Sequence, residues 1–327
     1  MMRLAIVGTG HITAEVIPFV GQWGWTLTAL CATPRSAEKL KALCARYAIP
    51  NGFSSYEALL ESGCCDAVYL GVPNHLHYEM VRQALEAGLQ VIVEKPIASN
   101  ITEAEALWAL ARQRHLFLFE AITTLHLPNY HKIREWLPRL GEIKAASVNF
   151  SQYSSRYDSF RAGETHPVFD PAKSGGALMD LNLYNLHYLM GLFGTPEEAS
   201  YLPNLERGID TSGLVTLRYQ SFSASAFAAK DSTAPLSCVI QGTRGYLVQD
   251  SSPNFCLGVT LRLHDGTVER FDQHTDSRME PEFRAFARAI AQADYGFCEA
   301  MMERTLDVCR LMTRLRLDSG IRFPADK

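Results

Sequence analysis

The sequence predicts an α/β protein: a doubly wound parallel sheet, followed by a second α/β domain on a large open, mainly antiparallel sheet. Three observations carry this expectation. Between Leu4 and Glu120, short apolar runs alternate with stretches of helical period, joined by brief connections. Such alternation calls for a parallel sheet covered by helices on both faces. The chain also opens as an apolar run, a glycine turn and a helical pattern. After Gly194 the period drops to two, with turn residues between the runs. A length of 327 residues accommodates two domains at about 150 residues each. We place the boundary near Ile122, giving 1–122 and 123–327.

Leu4 to Val7 reads as the first strand. Gly8-Thr9-Gly10-His11-Ile12-Thr13 follows, then a helical pattern through Val16, Ile17 and Val20. Strand, glycine turn and helix form the setting of a dinucleotide fingerprint. Gly8 permits the tight turn, and Gly10 lets the backbone approach a pyrophosphate at a helix amino terminus. Thr13 stands at the third glycine position. Trp25 to Ala32 is the second strand. The fingerprint usually carries an acid near its end for the ribose 2′-hydroxyl. Here the residues are Cys31-Ala32-Thr33-Pro34-Arg35-Ser36. With no acid there, Thr33, Arg35 and Ser36 suit a 2′-phosphate, which favours NADP over NAD. Arg35 is otherwise a solvated charge, and Ser36 an N-cap for a helix from Ala37 to Tyr47.

Ser54-Ser55-Tyr56 opens a short helix over Glu57 to Glu61. Asp66 to Leu70 is a strand ending in Gly71-Val72-Pro73-Asn74-His75-Leu76-His77, a turn where such sheets place ligands. His77, in the first turn of the helix to Ala87, either lines that site or only packs. Gln90 to Val93 is a buried strand, and Glu94-Lys95-Pro96 follows at its carboxyl end. Pro96 cannot continue the strand and biases Lys95 towards extended backbone. Lys95 is thereby held on a rigid mount. Thr102 and Glu105 read as a capping box for a helix to Arg114, and Leu116 to Phe119 as the last strand.

Pro128 to Pro138 holds a short helix and Ile143 to Phe150 a strand. Ser151 to Lys173 is a polar, aromatic-bearing loop, suited to a sugar-like ligand or to plain surface. Gly175-Gly176 then precedes an apolar helix to Phe193, stopped by Gly194. Asp180, Tyr184 and His187 are spaced i, i+4 and i+7, which places them on one helical face. They form either a reactive group or a hydrogen-bonded cluster. Alternating runs follow at 214–219, 223–230, 237–241, 245–249, 257–263 and 267–271, with Asp265-Gly266 as a hairpin turn. One face of their sheet stays uncovered, which predicts a homodimer through it. Residues 282–293 and 299–317 are closing helices.

Composition narrows the partners. The net charge of −4 gives no basic field for nucleic acid. No apolar run reaches the roughly 20 residues of a membrane span, and the amino terminus shows no secretory pattern. Eight cysteines without a C-x-x-C pair suit free thiols in a reducing cytoplasm. No cluster has metal-ligand spacing.

Jointly, Gly8-Thr9-Gly10-His11-Ile12, Ser55-Tyr56-Glu57-x-Leu59-Leu60, Pro73-Asn74-x-x-His77 and Glu94-Lys95-Pro96 resemble the glucose–fructose oxidoreductase, inositol dehydrogenase and MocA family in order and spacing. The resemblance implies a Rossmann domain and hydride transfer between NAD(P) and a hydroxyl or carbonyl carbon, of a sugar, cyclic polyol or dihydrodiol-like molecule. It makes the motif residues, with Gly71, cofactor contacts, and Glu94 an anchor for the nicotinamide ribose. Asp180 matches the first acid of the family's second motif. Asn182 replaces its glycine, Tyr184 its histidine and His187 its last acid, a pattern similar to the branch of dimeric dihydrodiol dehydrogenase. On this reading Lys95 stabilises negative charge on the substrate oxygen, Tyr184 is the general acid/base and Asp180 orients Lys95 or binds a hydroxyl. Two alternatives are an enzyme that uses nicotinamide transiently in glycoside cleavage, and a non-catalytic NAD(P) sensor.

Overall fold

In the computed structural model, which describes residues 1–327, six strands of the amino-terminal part pair in parallel: β1 (Met2–Val7), β2 (Trp25–Cys31), β3 (Asn51–Phe53), β4 (Ala67–Leu70), β5 (Gln90–Glu94) and β6 (Leu118–Ala121). Their order is β3-β2-β1-β4-β5-β6. The order reverses between β1 and β4, and open α/β sheets place ligands at that switch point. The runs are continuously apolar because both faces are covered; Val68, Tyr69, Val91, Ile92 and Val93 are fully buried. The helices are α1 (His11–Val16), α2 (Ala37–Arg46), α3 (Tyr56–Glu61), α4 (His77–Glu86) and α5 (Ile101–Gln113).

Local differences from expectation have local causes. The first helix stops at Val16 and resumes as a 3₁₀ turn at Val20–Trp23, because Pro18 lacks the N–H a continuous helix needs. Ser36 does not cap α2 with its side chain. The chain enters through a 3₁₀ turn at Pro34–Ser36, where the Ser36 N–H already donates to Thr33 O at 2.8 Å. The box read at Thr102 and Glu105 lies two positions earlier, at Asn100 and Glu103. Asn100 Oδ1 accepts from the Glu103 N–H at 2.9 Å, and Glu103 Oε2 from the Ser99 N–H at 3.0 Å. Strand β3 escaped notice because Asn-Gly-Phe has no apolar run.

By contacts the chain divides into two units. The first is Met1–Ala121 with Met279–Leu306, the second Ile122–Arg278 with Asp307–Lys327. In the first, the later segment supplies core. Phe283 and Phe286 are fully buried. Phe286 stacks on Phe119 at 4.4 Å, and Trp25 Nε1 donates to Phe283 O at 3.1 Å. Each such aromatic contributes about 2–3 kcal/mol by burial.

The second unit is built on eight strands: β7 (Ile143–Ser151), β8 (Glu198–Glu206), β9 (Ile209–Arg218), β10 (Ser223–Ala229), β11 (Ser237–Gly242), β12 (Gly245–Gln249), β13 (Val259–Leu263) and β14 (Val268–Phe271). Their order is β14-β13-β12-β11-β7-β10-β9-β8. Only β7 and β10 pair in parallel. Strand β8 was not expected: it is an edge strand with Pro203 and a mostly polar face, features that mask a strand in sequence. Asp265-Gly266 does turn the β13–β14 hairpin, with Gly266 at φ +94°. Helices α6 (Pro128–Trp136) and α7 (Tyr157–Arg161) precede a π-turn at Leu178–Asn182, which leads into α8 (Leu183–Phe193). Helices α9 (Glu280–Ala291) and α10 (Tyr295–Asp318) complete the chain. The expected single α-helix thus begins as a wider turn carrying Asp180. The 3.6-residue spacing holds for Tyr184 and His187 but not across Asp180.

Candidate active site

At the switch point three residues interlock. Gly8 has φ +111°, and a Cβ there would lie 2.3 Å from Gly71 O. A Cβ on Gly71 would lie 2.5 Å from the Thr13 methyl. Both glycines are therefore sterically required. Thr13, fully buried, fills with its methyl the space the third glycine would leave, and its hydroxyl donates to Gly10 O at 3.0 Å. Gly10 differs: nothing lies within 4 Å of its missing Cβ. It precedes α1 with no side-chain cap, so the first N–H groups of that helix are open to an anion. His11 and Ile12 begin the helix, with His11 exposed beside Glu15 at 3.3 Å.

Thr33, Pro34 and Arg35 stand exposed beyond β2, with Ser36 half-buried. Lys39, four residues on from Arg35, donates to Thr9 O. The glycine turn thus has a cation at its edge that the sequence reading did not single out. Its signal was a second cation close after Arg35, in the first turn of α2. An open glycine cradle edged by Lys39, with Arg35 exposed just past β2, fits a dinucleotide carrying an extra phosphate.

The Lys95 turn is fixed from three sides within the same unit. Glu94, 7% exposed, accepts from the Tyr69 hydroxyl at 2.6 Å. Glu120 accepts from the Ile97 N–H and the Thr305 hydroxyl, each at 2.9 Å. His77, fully buried, sets Nδ1 2.7 Å from Pro96 O and Nε2 2.9 Å from Val72 O. Two carbonyl partners are fully satisfied only by the imidazolium, whereas burial pulls the ring below its ordinary pKa. In either state His77 ties the Pro73-Asn74 turn to the Lys95-Pro96 turn, whose peptide bond is cis. Lys95 itself is half-buried. Gly71, Pro73, Asn74, His77, Glu94 and Lys95 therefore gather at the carboxyl ends of β4 and β5. Tyr69 and Glu120 join them, unannounced because their partners lie 25 and 23 residues away.

In the second unit, Asp180 sits on the π-turn and Tyr184 and His187 on α8. Tyr184 is 6% exposed and tilts against Phe150 with ring centroids 6.0 Å apart. Asp180 forms an ion pair with Lys230, which the sequence reading passed over as a strand end. The turn is anchored at its start by Asp210, whose Oδ2 accepts from the Leu178 N–H at 2.6 Å and the Tyr201 hydroxyl at 2.7 Å. A Cβ on Gly176 would lie 2.1 Å from Asp210 Oδ1, and one on Gly175 2.5 Å from Pro167 O. The glycine pair thus admits a carboxylate and a neighbouring backbone to the helix start. Burial raises the Asp210 carboxyl to about 6, against the pull of its two donors. The 151–173 loop is tied down by Arg207, which donates to Gly163 O at 3.1 Å and Glu164 O at 2.9 Å and covers the Phe160 ring at 4.5 Å.

Comparison with known proteins agrees with this construction. Residues 2–122 match the oxidoreductase family with an NAD-binding Rossmann fold, and residues 130–248 match the GFO/IDH/MocA C-terminal domain. An uncharacterised oxidoreductase of Escherichia coli is 33% identical across 100% of this chain and 99% of its own. A scyllo-inositol 2-dehydrogenase (NADP(+)) of Bacillus subtilis is 33% identical with both chains covered in full (100% and 100%). Among solved structures, a 3-ketoreductase from Actinomadura kijaniata shares the fold at a TM-score of 0.83, with 24% identity over 98% of each chain. With a full-length likeness, two matching domains and the glycine cradle in place, the chain belongs to the GFO/IDH/MocA family of oxidoreductases.

Proposed function

We propose that the protein is an NADP-dependent dehydrogenase or reductase acting on a CH–OH or carbonyl carbon of a sugar, cyclic polyol or dihydrodiol-like substrate. The observation that carries it is the open Gly10 turn with Lys39 bonded to Thr9 O and Arg35 exposed just past β2, where NAD enzymes usually carry an acid. Relatives support the cofactor and the substrate class. Besides the inositol enzyme, a D-xylose 1-dehydrogenase (NADP(+)) of Haloferax volcanii is 30% identical over 88% of this chain, and a human trans-1,2-dihydrobenzene-1,2-diol dehydrogenase 30% over 78%.

When bound, the nicotinamide supplies the redox chemistry. The chain's own residues hold it and manage the proton. Gly8, Thr9, Gly10, His11 and Ile12 receive the pyrophosphate. Arg35, with Thr33, Ser36 and Lys39, takes the 2′-phosphate. Gly71, Pro73, Asn74 and Glu94 line the nicotinamide side, and His77 sets the turns that carry them. Lys95 stabilises negative charge on the substrate oxygen, Tyr184 gives or takes its proton, and Asp180 binds or orients. The free, mostly buried cysteines suit a reducing, cytoplasmic setting. The uncovered sheet face suits a homodimer.

A turnover screen tests the proposal. Reduced-nicotinamide absorbance is followed with NADP⁺ or NADPH, then NAD⁺ or NADH, against scyllo-inositol, D-xylose, dihydrodiols and dicarbonyls. We expect turnover that falls by about 10²–10⁴ in Tyr184→Phe and is lost in folded Lys95→Ala. Full activity in Lys95→Ala would remove that residue from the chemistry. Tightly held cofactor without net redox would move the assignment to transient nicotinamide use.

A further inference from the structure

We infer that Lys230 is a positioning residue for this reaction, setting an ammonium behind Asp180 that fixes the place and the charge of that carboxylate on the π-turn. The inference rests on the reading of Asp180 as a site residue.

Along β10, Ala224, Ala226 and Ala228 are 0–5% exposed while Ser223, Ser225 and Phe227 are not buried. Lys230 directly follows β10 in phase with these alanines, at the end of the strand where Ala229 is buried as well. Its side chain is 4% exposed, whereas that of Asp180 is 27% exposed. A buried ammonium is costly unless paired, and here its ion-pair partner is a carboxylate that remains open to solvent. A pair serving only to fill core would bury both members.

The mount is rigid. The Lys230 N–H donates to Thr211 O and its carbonyl accepts from the Ser154 N–H, both at 2.8 Å. The Phe169 ring lies 5.3 Å from Nζ, a cation–π contact closing another side.

The surrounding charge makes the lysine consequential. Asp210 on β9 is buried and feels the Lys230 charge. Asp231 is engaged by the Thr211 and Ser212 hydroxyls at 2.7 Å each. Tyr201 is bound to Asp210, and Tyr184 follows Asp180 on the next turn. Lys230 is therefore the cation that pairs with Asp180 and is felt by Asp210. Without it, Asp180 would lose its counter-charge beside a second carboxylate and would resist ionisation.

The test uses Lys230→Met, Lys230→Arg and Asp180→Asn in the full chain, with melting curves to confirm folding. Asp carboxyl groups are labelled with ¹³C and titrated by NMR, Asp180 being assigned by its absence in Asp180→Asn. We expect the Asp180 midpoint to rise by about one pH unit or more in Lys230→Met and to return most of the way in Lys230→Arg. An unchanged midpoint would overturn the inference, with or without turnover. With scyllo-inositol and NADP⁺, we expect kcat to fall about tenfold or more in Lys230→Met with little change in KM. The acid limb of its pH profile should move upward, with recovery in Lys230→Arg. Slow Asp180→Asn beside normal Lys230→Met would refute the role of Lys230 alone. Normal Asp180→Asn would refute the reading of the site. If Lys230→Met does not fold, Lys230→Gln and Lys230→Arg carry the same comparison.

Discussion

We propose that cofactor choice turns on Arg35. It stands exposed at the end of β2, on the first of two steps that lead to Lys39 and the glycine turn. A guanidinium matches a phosphate bidentately, and a charge-assisted contact of this kind is worth about 1.5–3 kcal/mol. We therefore expect Arg35→Ala to raise Kd or KM for NADPH by about 10–100-fold while leaving NADH within about threefold. Equal losses for both cofactors would mean that Arg35 does not touch the 2′-phosphate. Residues of this kind were legible because glycine, proline and an absent acid mark positions along the chain. Tyr69, Glu120 and Lys230 were not. Each works through a partner far away in sequence, 50 residues in the case of Lys230 and Asp180, and no local pattern announces such a partner.

Among the elements, the π-turn at Leu178–Asn182 shows how a motif read as plain α-helix acquires its shape. The Gly175-Gly176 pair was legible as a place of close approach. What approaches, the Asp210 carboxylate and the Pro167–Asp170 backbone, was not. Asp210 also makes the turn sensitive to pH. Burial raises its pKa from the ordinary 3.8 to about 6. The folded chain thus holds this proton up to about pH 6, where the unfolded chain has already lost it. The group's contribution to stability is complete below the unfolded value and is lost as pH rises from about 4 to about 6. Asparagine resembles the protonated acid at every pH. The melting temperature of wild type relative to Asp210→Asn should therefore fall as pH rises through that window. A constant difference would mean that the carboxyl is already ionised in the fold.

For the whole molecule, the uncovered face of the eight-stranded sheet is the feature with most left to explain. Ser147, Ser225, Thr216 and Ser200 form a row of small hydroxyls across β7, β10, β9 and β8. Ser225 Oγ and Ser147 Oγ lie 3.2 Å apart, and the Ser200 and Thr216 hydroxyls 2.7 Å apart. Leu202, 62% exposed, stands at the edge of the same sheet. A face of small side chains lets a second copy lie close. Light scattering should give twice the 36.4 kDa chain mass, and Ser225→Arg should reduce it to one chain without unfolding. A wild-type monomer at micromolar concentration would end the dimer proposal.

By itself the sequence determined the class of fold, the glycine cradle, the Lys95 turn and the change from parallel to mainly antiparallel sheet. These rest on short-range rules: apolar periodicity, glycine's access to positive φ and proline's missing donor. Tertiary structure alone decided that Met279–Leu306 packs with the first unit and that β8 completes the second sheet. It also decided that His77 bridges two turns and that Lys230 stands behind Asp180. Those outcomes depend on which side chains meet across a sheet or beneath a helix, and burial and partner geometry set that only once the chain has folded.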